Sequence, residues 1–385
     1  MGGVLITASA CGILAYFILP LQRSDDTLAT NTLLASVIAI GIVFGGSLFI
    51  VGVTAGRAAL QRRFNLPSSW LFVGLFIIVL ILGQAVLTTN IGAPYLFPPW
   101  HVLASAMLPL AVLAYAARRL PIVSTRSVLA QMVWGGLGTV LLSLVFELLI
   151  GGLLLIAAAV LLLIVIGQQR LNNLLRTLST SPRDIAPLIN LLTRDPVVLI
   201  IIGLAAILLF VVLAPLIEEI IKSLGPAYLI RRTRPARGTA LLWGLAAGAG
   251  YAFSENMLNG ASGAATGGES QLWAAAMFLR AGTSLVHMAA TATVSLGWYA
   301  GIVEGRRGRL LLLFTLASTA HGFWNVFALA LGGLSTFSFS GSSGLVSGVA
   351  GVALGIITLL ILLVLLLASA FWIAWLVRSA SRQAE

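Results

Sequence analysis

The sequence predicts an all-α polytopic membrane protein, a bundle of about nine to eleven transmembrane helices, and three observations carry that prediction. Of the 385 residues 59% are hydrophobic and only 9% charged, with a mean hydropathy of +1.07. The apolar residues gather into runs long enough to cross a bilayer, about 20 residues each. Those runs lack the alternation of a transmembrane barrel, whose segments would be roughly 10 residues long.

Apolar runs fall at about 4–20, 30–56, 69–89 and 100–117. The first lacks a basic leading region and a clear small-residue cleavage site, so it reads as a retained helix and not a signal peptide. A continuous run over about 128–167 would measure about 60 Å as one helix, twice the bilayer core. It is expected to fold back as a hairpin near Gly151-Gly152, with Glu147 at its tip, or to project beyond the membrane. Further runs lie near 196–230, 239–258, 272–303, 310–333 and 347–377. Pro215 is expected to break or kink the first of these. Between the two halves, 168–195 carries Arg170, Arg176, Arg183 and Arg194, with Leu171, Leu174, Leu175 and Leu178 at helical spacing. It reads as an interfacial amphipathic linker between N-terminal helices of unassigned role (1–167) and a C-terminal bundle (196–385).

The net charge of +11 does not indicate nucleic acid, because the arginines stand in short loops beside apolar runs. Arg57, Arg62 and Arg63 form one cluster, and Arg118, Arg119 and Arg126 a second. Arg231, Arg232, Arg234 and Arg237 make a third, Arg306, Arg307 and Arg309 a fourth, and Arg378 and Arg382 lie in the tail. The loops between, near 90–98, 259–271 and 334–346, are almost uncharged, which places the C-terminus in the cytoplasm. Asp25 and Asp26 read as loop residues, and His101, after Pro98-Pro99-Trp100, as part of the aromatic belt at the membrane edge. The single cysteine, Cys11, excludes an internal disulfide and a thiolate metal cluster.

Chemistry concentrates in the second half, where four successive helices carry ionisable groups in apolar sequence. The first has Glu218, Glu219 and Lys222, the only lysine among 22 basic residues. The second has Glu255 and Asn256, the third Arg280 and His287, and the fourth His321 and Asn325. Such groups are costly in a bilayer and mark function by default. Helical spacing brings Lys222 beside Glu218 and Glu219, and aligns His321 with Asn325. Counted at about 1.5 Å per residue from the inner arginines, and for His287 from Glu304, Glu219 and His321 lie roughly 18 Å deep, and Glu255 and His287 roughly 26 Å.

Glutamates and histidines from separate helices suit a divalent metal with an open position, zinc foremost. Such an ion activates water, a nearby carboxylate takes the proton, and an amide or imidazole holds the oxyanion. No helical HExxH, GxSxG or Ser-Lys arrangement stands out, and Ser254 and Ser284 are nucleophile candidates by proximity alone. The same groups also suit a proton- or ion-coupled transporter, or a non-catalytic scaffold in which they are neutralised helix contacts. A transporter is disfavoured by the lack of any internal repeat and by a single helix break.

At these residues the sequence resembles the PrsW family of intramembrane metalloproteases, distant relatives of the CAAX-type endopeptidases. The resemblance covers about 205–330 and rests on four blocks in order. They are Glu-Glu-x-x-Lys (218–222), Gly-aromatic-x-x-x-Glu-Asn (250–256), His287 followed by small residues, and His-x-x-x-Asn (321–325). Tyr251 stands where the family usually has Phe, and Asn325 where Asp also occurs. The resemblance implies that Glu218 and Glu219 supply the base and a metal or water contact, tuned by Lys222. It implies Glu255, His287 and His321 as zinc ligands and Asn325 as a hold on oxyanion or metal. It also implies a membrane-anchored protein substrate, such as an anti-sigma-factor-like regulator, in a prokaryotic plasma membrane.

Overall fold

The computed structural model describes residues 1–18, 27–55, 63–180, 196–265, 273–339 and 345–382. Asp25, Asp26, Arg57, Arg62, Arg183, Arg194 and parts of the loops at 259–271 and 334–346 lie outside the described residues, as do the side chains of Leu171, Leu174, Leu175 and Leu178. The described residues form helices joined by short connecting segments, with one isolated bridge between Arg63 and Ser124. In chain order the helices are α1 (Gly2–Ile18), α2 (Thr27–Val53), α3 (Ser69–Thr89), α4 (Ala93–Ala117), α5 (Thr125–Ile166) and α6 (Gln168–Thr180). There follow α7 (Pro196–Thr233), α8 (Arg237–Ala265), α9 (Trp273–Ile302), α10 (Arg307–Phe339) and α11 (Leu345–Ser381). Seven of them contain spans long and apolar enough to cross a membrane. Helices α8 and α9 are as long, at 29 and 30 residues, but less apolar.

The chain forms two compact units. One comprises Met1–Leu142, Glu219–Ala320 and Leu363–Glu385, and the other Ser143–Glu218 and His321–Leu362. In the first, α8 and α9 occupy the interior: every residue from Ala240 to Ser254 and from Ala281 to Gly297 is buried. Small residues let the two backbones approach. A Cβ on Gly248 would lie 2.7 Å from Met288 Cα, and one on Gly244 2.7 Å from Ala292 Cα. Leu113, Val128, Ile230, Leu241, Leu245 and Met288 complete an apolar core around them.

His101 does not stand exposed as a belt residue would. Helix α4 starts at Ala93 and carries Pro98 and Pro99 inside it, so His101 falls in its third turn, fully buried. Pro98 cannot donate to the carbonyl one turn earlier, and Asn31 Nδ2 replaces it, 2.9 Å from Pro94 O. That substitute hydrogen bond satisfies the carbonyl that Pro98 leaves without its donor. The His101 ring is 3.1 Å from Met257 O through Nε2 and accepts from Trp273 Nε1 at Nδ1 (3.3 Å). It is a buried pin between helices.

The hairpin expected near Gly151-Gly152 does not form either. Helix α5 runs unbroken for 42 residues, with Glu147 and both glycines inside it. Two glycines cost a helix only about 1 kcal/mol each, whereas opening the backbone in an apolar setting leaves several polar groups unpaired. The chain turns instead at Gly167, whose φ of +79° ends the helix. Within α5, Trp134–Thr139 form a π-helical turn. Such a turn releases a carbonyl from the ladder; here Gly136 O accepts from Ser254 Oγ at 2.8 Å. In the second unit Leu162, Ile166 and Val198 pack together against Ile201 and Ile202, while Leu148, Leu153, Leu155 and Ile164 face outwards.

Candidate active site

Pro215 neither breaks α7 nor leaves it regular. Ile207–Leu213, just before it, form a second π-helical turn. Proline lacks the N–H that would meet Val211 O and its ring crowds that carbonyl, and a widened turn relieves both. The turn is stabilised from α10: Asn325 Nδ2 donates to Phe210 O at 2.9 Å. Gly322, one turn earlier on α10, leaves room for Val211 O, which any Cβ there would strike. Three residues after Pro215 comes Glu218, buried, with Oε2 3.9 Å from Nε2 of buried His321. That separation exceeds a direct hydrogen bond. It is near the roughly 3.3 Å that two ligands about 2.0–2.1 Å from a tetrahedral ion would keep between them.

The next residue, Glu219, belongs to the first unit and has contacts of a different kind. It is fully buried, with Oε1 2.6 Å from Lys222 Nζ and Oε2 accepting from Thr291 Oγ1 at 3.1 Å. Lys222, also fully buried, places Nζ 3.0 Å from His287 Nδ1 and 4.3 Å from the centre of the Tyr251 ring. An ammonium only donates, so Nδ1 accepts and the imidazole proton resides on Nε2. Nε2 then donates to Glu255 Oε2, 2.5 Å away. Glu255 Oε1 meets Arg280 Nη2 at 3.0 Å and Asn259 Nδ2 at 3.2 Å. Lysine suits the central position because a compact ammonium on a flexible stem can face a carboxylate, an imidazole and a ring at once.

The backbone carrying these groups is fixed from outside α7. Pro226 interrupts the ladder there too; Trp134 Nε1 donates to Ile221 O at 3.0 Å, and Trp298 Nε1 to Ser223 Oγ at 3.0 Å. Both candidate serines are occupied as structural donors. Ser254 caps the π-turn of α5, and Ser284 Oγ donates to Arg280 O at 3.0 Å while accepting from Asn256 Nδ2 at 2.8 Å.

Of the residues singled out in the sequence, Glu219, Lys222, Glu255 and His287 therefore meet in one contact chain in the first unit. Glu218, His321 and Asn325 lie together in the second. Glu255, expected as a metal ligand, has both oxygens engaged by side chains. Thr291 and Trp134 were not anticipated. Thr291 could have been, since it lies one turn from His287 on the same face of α9; Trp134 gives no local signal, because its partner is 87 residues away.

No curated protein and no solved structure matches this chain. A family model does match, over residues 185–368, and those residues include all four blocks noted in the sequence. The chain is an integral membrane protein, and its stretch 185–368 is similar to the PrsW family intramembrane metalloproteases.

Proposed function

We propose that this protein is a zinc-dependent intramembrane endopeptidase that hydrolyses a peptide bond of a membrane-anchored substrate protein. The observation that carries the reading is the run of contacts Glu255–His287–Lys222–Glu219, which gathers three motif blocks from three helices around one buried cation. A site that keeps an ammonium against a carboxylate and an imidazole has the donor chemistry to keep a metal cation. The proposed ligands are Glu218, His287 and His321, all buried nitrogen and oxygen donors. Glu255 is assigned the orienting role, since a ligating imidazole generally gives its other N–H to a carboxylate. His287 Nδ1 would then be the ligating atom, its one lone pair exchanging Lys222 Nζ for the ion while Lys222 stays on Glu219 Oε1.

When bound, zinc would polarise the scissile carbonyl and acidify water. Glu219 takes one proton from the attacking water as its oxygen bonds to the carbonyl carbon. As the C–N bond breaks, Glu219 passes that proton to the leaving amine. Lys222 and Thr291 hold the carboxylate in place, and the second Nδ2 hydrogen of Asn325 is assigned to the oxyanion. The arginine clusters support a cytoplasmic C-terminus. The resemblance carried by the four sequence blocks is the ground for a regulatory substrate of the anti-sigma-factor kind in a prokaryotic plasma membrane.

The test compares membrane-protein fragments from cells expressing wild type or Glu219→Gln at equal levels. New termini within or next to membrane spans should form with wild type and fall by about 10²–10⁴-fold in the variant, the usual contribution of a general base. Identical fragments from both would reject the assignment.

A further inference from the structure

Arg280 stands apart from the other arginines. Those in the described residues lie at or near helix ends, in connecting segments or in the polar helix α6, whereas Arg280 is the eighth residue of α9, in apolar sequence. Its guanidinium reads two consecutive residues of α8. Nη2 lies 3.0 Å from Glu255 Oε1 as an ion pair without hydrogen-bond alignment, and Nε donates to Asn256 Oδ1 at 3.0 Å. The Asn256 amide is fixed in turn, since its Nδ2 donates to Ser284 Oγ, which donates back to Arg280 O. The result is a closed ring, Arg280–Asn256–Ser284–Arg280, with Glu255 attached at the guanidinium.

We propose that Arg280 is a positioning residue: by bridging Glu255 and Asn256 it holds the carboxylate that fixes His287 Nε2, and so directs Nδ1 towards Lys222 and the metal position. The alternative is that Arg280 only neutralises the Glu255 charge. Geometry favours positioning. Neutralisation needs one cation near Oε1, and a lysine would serve. The planar fork and the directed Nε bond address a neutral amide that has no charge to cancel. The closed ring also restricts the side-chain freedom of the guanidinium, whose residue, like Glu255, is about one-fifth exposed (22% each). Loss of a group that orients a ligating histidine typically costs 10–100-fold in metal affinity or activity.

This inference rests on His287 as a ligand, but one readout does not need metal. The chain has three histidines, so selective ¹⁵N-histidine spectra of the full-length protein are simple. Wild type should show two imidazoles locked as the Nε2–H tautomer, His101 and His287; the one bonded to a carboxylate should carry the more strongly deshielded proton, assigned to His287 by its absence in His287→Gln. In Arg280→Lys, which keeps the charge and loses the Nε bond, that proton should move upfield or broaden by tautomer exchange. Zinc affinity, measured by chelator competition, should fall 10–100-fold. Should Arg280→Lys fail to fold, Asn256→Leu removes the Nε acceptor, keeps the ion pair, and should shift the same proton in the same direction. An unchanged His287 signal and unchanged affinity in the variant that folds would overturn the proposal. Absence of zinc binding in wild type would instead overturn the metal assignment, leaving the spectra to decide the role of Arg280.

Discussion

Helices α8 and α9 of the first unit and the exposed stretches of α5 and α7 in the second follow opposite rules. The former carry Glu255, Asn256, Arg280 and His287, and are buried almost all round over their middles. The latter are nearly pure Leu, Ile and Val, yet Leu148, Leu153, Leu155 and Leu204 are more than half exposed. In water the more apolar helix would be the buried one. Here the surroundings are lipid, so exposure of leucine costs nothing and shelter is reserved for groups that lipid cannot solvate. Burial in this protein therefore tracks chemistry and not hydrophobicity.

The sharpest way to break that contrast is to unbalance a sheltered charge. Lys222→Met leaves Glu219 as a buried carboxylate without its ammonium, which should cost about 3–5 kcal/mol, read as a lower midpoint of unfolding in detergent. A midpoint equal to wild type would mean that the pair is not truly sequestered. A paired truncation sharpens the contrast further. Leu245→Ala, at a position with 0% exposure, should lose about 2–5 kcal/mol. Leu155→Ala, at 72% exposure, should stay within about 0.5 kcal/mol. Equal losses at the two would show that apolarity alone orders this fold. The smallest effect is expected for Ser254→Ala, which removes one hydrogen bond to Gly136 O, worth about 1 kcal/mol, with proteolysis retained. Loss of all activity there would reopen a serine nucleophile.

The same contrast explains how far the sequence could be read. Apolar runs and arginine clusters follow directly from the bilayer, so the helical fold was legible. So was the convergence of Glu219, Glu255 and His287, because such groups have few reasons to sit in apolar helices. What escaped are features set by distant partners. Pro98 and Pro99 look like a helix start until Asn31 is seen to supply the missing donor, and His101 moves inwards as a consequence. Gly151-Gly152 looks like a turn because sequence gives no weight to an unbroken ladder. Pro215 looks like a break, whereas a π-turn held by Asn325 absorbs it. Local rules place the prolines correctly, but what the backbone does there depends on donors tens of residues away.

The central claim is that Glu218, His287 and His321 hold a catalytic metal, and metal analysis tests it most directly. Purified wild type should carry about one divalent ion per chain, with the ion lost in His321→Ala and Glu218→Gln but kept in the outward-facing control Leu155→Ala. Wild type and His321→Ala with equal metal content, whether both loaded or both empty, would contradict it.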